Sequence, residues 1–83
     1  MMPTARAQAL MQEALEALHE CLSLPPEQAL DDAGKLWALA TCADTIAHVD
    51  IACGGNPAVA RMAACDLVEK LAPPHLRALL GDG

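Results

Sequence analysis

Three breaks decide what this chain can fold into. Pro25-Pro26, Gly54-Gly55-Asn56-Pro57 and Pro73-Pro74 cut it into stretches of helical length. Proline lacks the amide that a helix interior needs, and glycine costs the most backbone entropy, so such clusters end one helix and set up the next. Between the breaks, apolar residues recur every three or four positions. Met11, Leu15, Leu18 and Leu22 keep this spacing in the first stretch, and Leu10, Ala14, Ala17 and Cys21 widen the stripe. Leu39, Cys42, Ile46, Val49 and Cys53 repeat it in the second, and Ala60, Ala64, Leu67 and Leu71 in the third. No window alternates with period two for long enough to suggest a strand.

Four helices are therefore expected. The first runs from an N-cap at Thr4 to Leu22. The second extends from about Pro26 towards Cys53 and is kinked or split at Gly34. The third starts at Asn56-Pro57, an N-cap followed by proline at the first helical position, and reaches about Leu71. The fourth is short, from His75 to Leu80. The fold class is all-α: one domain over residues 1–83, built as a small antiparallel bundle of three helices plus a short C-terminal fourth helix.

The texture of the core follows from composition. Hydrophobic residues make up 54% of 83, yet there is no Phe, no Tyr and one tryptophan, Trp37. Ala and Leu dominate. Alanine faces let helices approach closely, but each removes little apolar area from water, at roughly 25 cal/mol per Å². Small domains in that position gain stability by associating, so a homodimer or a standing protein partner is expected.

Charge narrows the choice of partner. The net charge is −6, and the five basic residues, Arg6, Lys35, Arg61, Lys70 and Arg77, are scattered. Nucleic-acid binding needs clustered cations, and an anionic membrane surface does too, so neither is expected as a direct partner. No apolar run reaches the roughly 18 residues of a membrane span. The N-terminal stretch reads as part of an amphipathic helix rather than a signal peptide, which points to the cytoplasm.

The chemistry-bearing residues do not assemble into a motif. Cys21, Cys42, Cys53 and Cys65 are all more than ten residues apart, whereas zinc sites draw on close pairs. Cys21, Cys42 and Cys53 lie on the apolar stripes, where a free thiol acts as a small hydrophobe. Cys42 and Cys53 stand about 16 Å apart along one helix and cannot bridge each other. Glu16 and His19 have the spacing of a di-iron half-site, but no second copy follows. Asp44 and His48 can hydrogen-bond at i, i+4, as a surface pair without a nucleophile beside it. No cofactor and no metal is expected.

Two surfaces stand out as places for a partner. Glu13, Glu16 and Glu20 share one helix face, within a segment, 13 to 32, that holds six of the eleven acids. That face is either plain solvated surface or an acidic patch that docks on a basic partner. Trp37, Thr41, Asp44 and His48 line up opposite the Leu39/Cys42/Ile46/Val49 stripe. Tryptophan on such a face is a frequent interface anchor, unless a neighbouring helix covers it. Asp50 falls among apolar positions, at a fraying helix end or beside a basic residue. Gly54-Gly55-Asn56-Pro57 lacks the lysine of a phosphate-binding loop and reads as a corner between helices.

The pattern Pro-Glu-Gln-Ala-Leu-Asp-Asp-Ala-Gly-Lys-Leu from Pro26, followed by Ala63, Leu67 and Val68 in the next helix, resembles a bacterial family of short helical proteins known only as a domain of unknown function. The resemblance spans Pro26 to Leu71. It implies a helical hairpin and no activity. The leading helix and the Gly-Gly-Asn-Pro corner have no counterpart in it.

These features favour a non-enzymatic interaction module: a small acidic adaptor, regulator or inhibitor whose protein partner is basic or itself binds nucleic acid. An inhibitor carried by a phage or mobile element, such as an anti-CRISPR, belongs to this class. The alternative is a metal-binding or redox-sensing protein that uses its four cysteines.

Overall fold

Each long helix begins where a side chain takes the first unpaired amides. In the computed structural model, which describes residues 4–81, Thr4 Oγ1 accepts from the Ala7 amide at 3.1 Å and opens α1 (Ala5–Leu22). Asp31 Oδ1 accepts from Gly34 N at 2.7 Å and opens α2 (Asp32–Ala52). Asn56 Oδ1 takes the amides of Ala58 and Val59 and opens α3 (Pro57–Leu71), with Pro57 at the first position. A short helix, α4 (Pro74–Gly81), follows. The fold is an all-α helical bundle, as the spacing of apolar residues predicts, and no strand occurs among the described residues.

The second helix differs from its expected extent. Pro26–Gln28 forms a separate 3-10 turn, and Ala29 turns extended after it. The chain breaks there and not at Gly34. Asp31 is the reason: as N-cap its carboxylate binds the third amide of the helix, which belongs to Gly34. A Cβ on Gly34 would stand 3.2 Å from both that carboxylate and Leu30 Cβ, so the glycine lets the cap close tightly.

The end of α2 is a Schellman corner. Gly54 N donates to Ile51 O and Gly55 N to Asp50 O, both at 3.0 Å, and Gly54 sits at φ 95°. Asp50 is half-buried at this corner, at the helix end that the sequence left as one of two options. A Cβ on Gly55 would meet its carboxylate at 2.6 Å.

α2 is the middle of the bundle, with α1 packed on one side and α3 on the other, and short connections lay neighbours antiparallel. Leu18 from α1, Leu39, Cys42 and Ile46 from α2, Val68 from α3 and Leu76 from α4 meet in one apolar cluster. Alanines fill the rest: Ala38, Ala43 and Ala47 on α2, Ala60 and Ala64 on α3. On α3 the buried line runs Ala60, Ala64, Val68 and on to Ala72, while Leu67 and Leu71 remain about 40% exposed (39% and 42%). The small residues four apart make the contact with α2, and the leucines are left on its flank.

Only Leu39 and Leu76 are large side chains sealed completely, and no polar side chain is buried among the described residues. The molecule is flattened, with extents of 42 × 27 × 15 Å. α4 is held by Leu76 and by Arg77, whose Nε donates to Glu69 O at 3.0 Å and whose Nη2 donates to Lys70 O and Ala72 O at 3.3 and 3.1 Å. A cation thus satisfies the last carbonyls of α3. No helix among the described residues is long and apolar enough to cross a membrane.

Leu39→Ala leaves a cavity in the middle of the bundle and should cost about 3–5 kcal/mol in urea denaturation. Leu79→Ala, at a side chain 60% exposed, should cost under about 0.5 kcal/mol. Gly54→Ala forces a side chain into the left-handed region and should cost about 1 kcal/mol.

Candidate functional site: the outer ridge of α2

The positions of α2 that neither neighbour covers form one arc. Trp37, Thr41, Asp44 and His48 follow at i, i+4, i+7 and i+11, and all four are exposed. Trp37 is 71% exposed, so neither α1 nor α4 covers it. The four residues make a ridge along the helix, as their projection predicts.

Open grooves flank the ridge. On the α1 side a groove of about 580 Å³ has walls from Leu10, Glu13, Ala14 and Ala17 on α1 and from Trp37, Thr41 and Thr45 on α2. Leu18 and Cys42 form its floor, with Cys21 and Val49 beside them. On the α3 side a groove of about 320 Å³ runs between Ala40, Asp44 and Ala47 and the α3 residues Arg61, Cys65, Val68 and Glu69. Alanine causes both. Small side chains bring helix axes close, but they do not reach far enough outward to fill the space where two helix surfaces curve apart.

The wall residues Leu10 and Ala17 were readable in the sequence as members of an apolar stripe wider than one neighbouring helix can cover. Nothing in the pattern marked Thr45, Arg61 or Glu69.

The acidic face of α1 divides. Glu13, Glu16 and Glu20 are all exposed. Glu13 edges the large groove. Glu16 and Glu20 border a separate shallow depression with Gln12, Leu15, His19 and, from α3, Leu71. The three carboxylates therefore belong to one convex surface with a groove on one side and a depression on the other.

His48 Nδ1 lies 2.7 Å from the carbonyl oxygen of Asp44 and 3.4 Å from its carboxylate. A carbonyl can only accept, so Nδ1 is the donor in this contact. Asp44 and His48 thus pair at the surface as their spacing suggests, with side chains more than half exposed. His75 Nε2 meets Asp32 Oδ1 at 3.1 Å and links α4 to the start of α2.

The thiols are all free and sit at different depths. Cys42 is buried, Cys21 and Cys53 are half-buried and Cys65 is exposed. Cys42 Sγ donates to Ala14 O at 3.5 Å, and burial pushes its thiol above the ordinary range. Among the described residues no three His, Cys, Asp or Glu side chains gather as metal ligands would.

No family model matches the chain, and neither a curated protein nor a solved structure does. The ridge and its grooves are therefore read from their own chemistry.

Depth ranks the cysteines. With a maleimide or Ellman's reagent at neutral pH, Cys65 should react fastest and Cys42 slowest. The thiolate is the reacting form, and burial keeps Cys42 protonated. Its labelling should therefore go on accelerating with pH beyond about 8.5, where an ordinary thiol begins to level off. Rapid reaction of Cys42 at neutral pH would contradict this packing.

Proposed function

We propose that this protein is a non-enzymatic interaction module that binds another protein through the Trp37 face of α2. The observation that carries the reading is the one aromatic side chain of the chain, 71% exposed on a ridge between two apolar grooves. A tryptophan left in water forgoes the largest burial available to any residue. Interfaces concentrate their binding energy in such side chains, with open apolar space beside them.

The limited core supports a role in association. Leu10, Val59, Met62, Leu67, Leu71 and Leu79 are exposed along with Trp37, and few large side chains are sealed inside. A partner, or a second copy of the chain, supplies apolar contact that the isolated bundle lacks. A net charge of −6 fits a basic or nucleic-acid-binding protein as that partner, steering its approach at long range. An adaptor, a regulator or an inhibitor acting in the cytoplasm is the role in view, an anti-CRISPR among the inhibitors. The His–Asp neighbours are exposed pairs and fit surface contacts better than proton transfer in a sheltered site. Cys21 and Cys42 border one groove, but all four thiols are free and no three potential ligands group among the described residues, so a thiol-based metal or redox role has less to support it.

Trp37→Ala tests the reading. Affinity capture with the wild-type chain should enrich a defined protein, and the variant should lose it by at least about tenfold. Circular dichroism of the two should be the same, since Trp37 contributes nothing to the sealed core. Equal capture by both would exclude the ridge as the contact surface.

A further inference from the structure

Two opposite charges line the α2–α3 groove without a partner, and their spacing selects what can cover it. Arg61, Cys65 and Glu69 follow at i, i+4 and i+8 along its α3 bank, over an apolar floor that includes Leu39, Ala43 and Val68. Among the described residues neither Arg61 nor Glu69 enters an ion pair. The charges around them do: Asp66 meets Lys70 at 3.8 Å, and Asp44 on the α2 bank meets His48 at 3.4 Å. Eight residues separate Arg61 from Glu69, about 12 Å at 1.5 Å per residue, so they do not reach each other along the helix.

A twofold axis closes that distance. A cation and an anion set evenly on either side of a central residue are self-complementary when the helix meets its own copy antiparallel. With the axis at Cys65, Arg61 of each copy faces Glu69 of the other. Residues four apart form one ridge of the helix surface, the kind that packs against a neighbouring helix. Met62, 73% exposed, flanks Cys65 three residues before it, and the exposed Ala58 continues the strip by one turn. The small side chain at the axis lets the two helices approach. A uniformly basic partner would press on Arg61, and a uniformly acidic one on Glu69 and Asp44. A second copy presents both signs in reversed order by symmetry. Asp44, the remaining groove charge, has a side chain 61% exposed and stays hydrated beside its own His48.

We infer that the chain forms a twofold dimer through the α2–α3 groove, α3 against α3 in antiparallel order, with Arg61 of each copy on Glu69 of the other. Trp37 and the α1–α2 groove lie on the other side of α2 and stay open to a different protein. The inference therefore goes beyond the Trp37 reading and does not depend on it.

Sedimentation of the whole chain should show a dimer that dissociates in the micromolar range. Arg61→Glu and Glu69→Arg each set like charges together and should weaken it at least about tenfold. The two changes combined in one chain exchange the signs and should bring the dissociation constant back to within about threefold of wild type. Neither side chain belongs to the buried core, so circular dichroism of all four chains should agree. Cys65 reports the contact locally. Its maleimide labelling should be fast in dilute solution and slow at least about threefold as the chain is concentrated through the dissociation constant, while Cys21, in the other groove, labels at an unchanged rate. A chain monomeric at every accessible concentration, a dimer indifferent to the single changes, or a folded double variant that fails to recover would each overturn the inference. A dimer abolished by Trp37→Ala would place self-association on the ridge and overturn it too. Trp37-dependent capture of a protein by a monomeric chain would leave the interaction module standing while the dimer falls.

Discussion

The close contact of α2 with both neighbours through alanine is the interaction on which the rest of the structure depends. Ala43 and Ala47 on one helix and Ala64 on the next belong to one buried apolar cluster. Small side chains permit short distances between helix axes, and dispersion between backbones replaces the bulk that aromatics would otherwise supply. Leu39 occupies the centre and has no exposure at all. The cost of this construction appears on the outside. Where bundles with longer side chains close over their seams, this one leaves furrows along both, and α2 rises between them as a ridge.

Polarity is distributed to match. Asp31 and Asp32 stand at the start of α2, where their carboxylates complement its positive end. The interior holds no polar side chain among the described residues. Burial pushes the Cys42 thiol above its ordinary range.

Helix limits were legible in the sequence because caps are local chemistry. Thr4, Asn56-Pro57 and the Gly54-Gly55 corner act within three or four residues, and they mark the starts of α1 and α3 and the end of α2. The start of α2 was misplaced because two prolines promise a helix start as readily as Asp31 does, and only the competition between them in space decides. The ridge of Trp37, Thr41, Asp44 and His48 followed from helical periodicity alone. Its exposure did not, since that depends on where α1 and α4 lie. The division of Glu13 from Glu16 and Glu20, and the burial of Val68 in place of Leu71, depend in the same way on the tilt between helices. So does Arg77: no pattern announces that a side chain on the last helix will cap the one before it.

That cap gives α4 a distinct place in the energetics of the fold. The helix is eight residues long, too short to persist alone. Its attachment gathers into Leu76, the Arg77 guanidinium and the His75–Asp32 contact. Detachment of so small a unit breaks few interactions, so its amides open to solvent at a free energy well below that of the whole chain. When it leaves, Leu76 vacates the apolar cluster and the carbonyls ending α3 lose their cation. The C-terminal helix thus works as a clasp on the end of α3, one that opens at less cost than the three longer helices come apart.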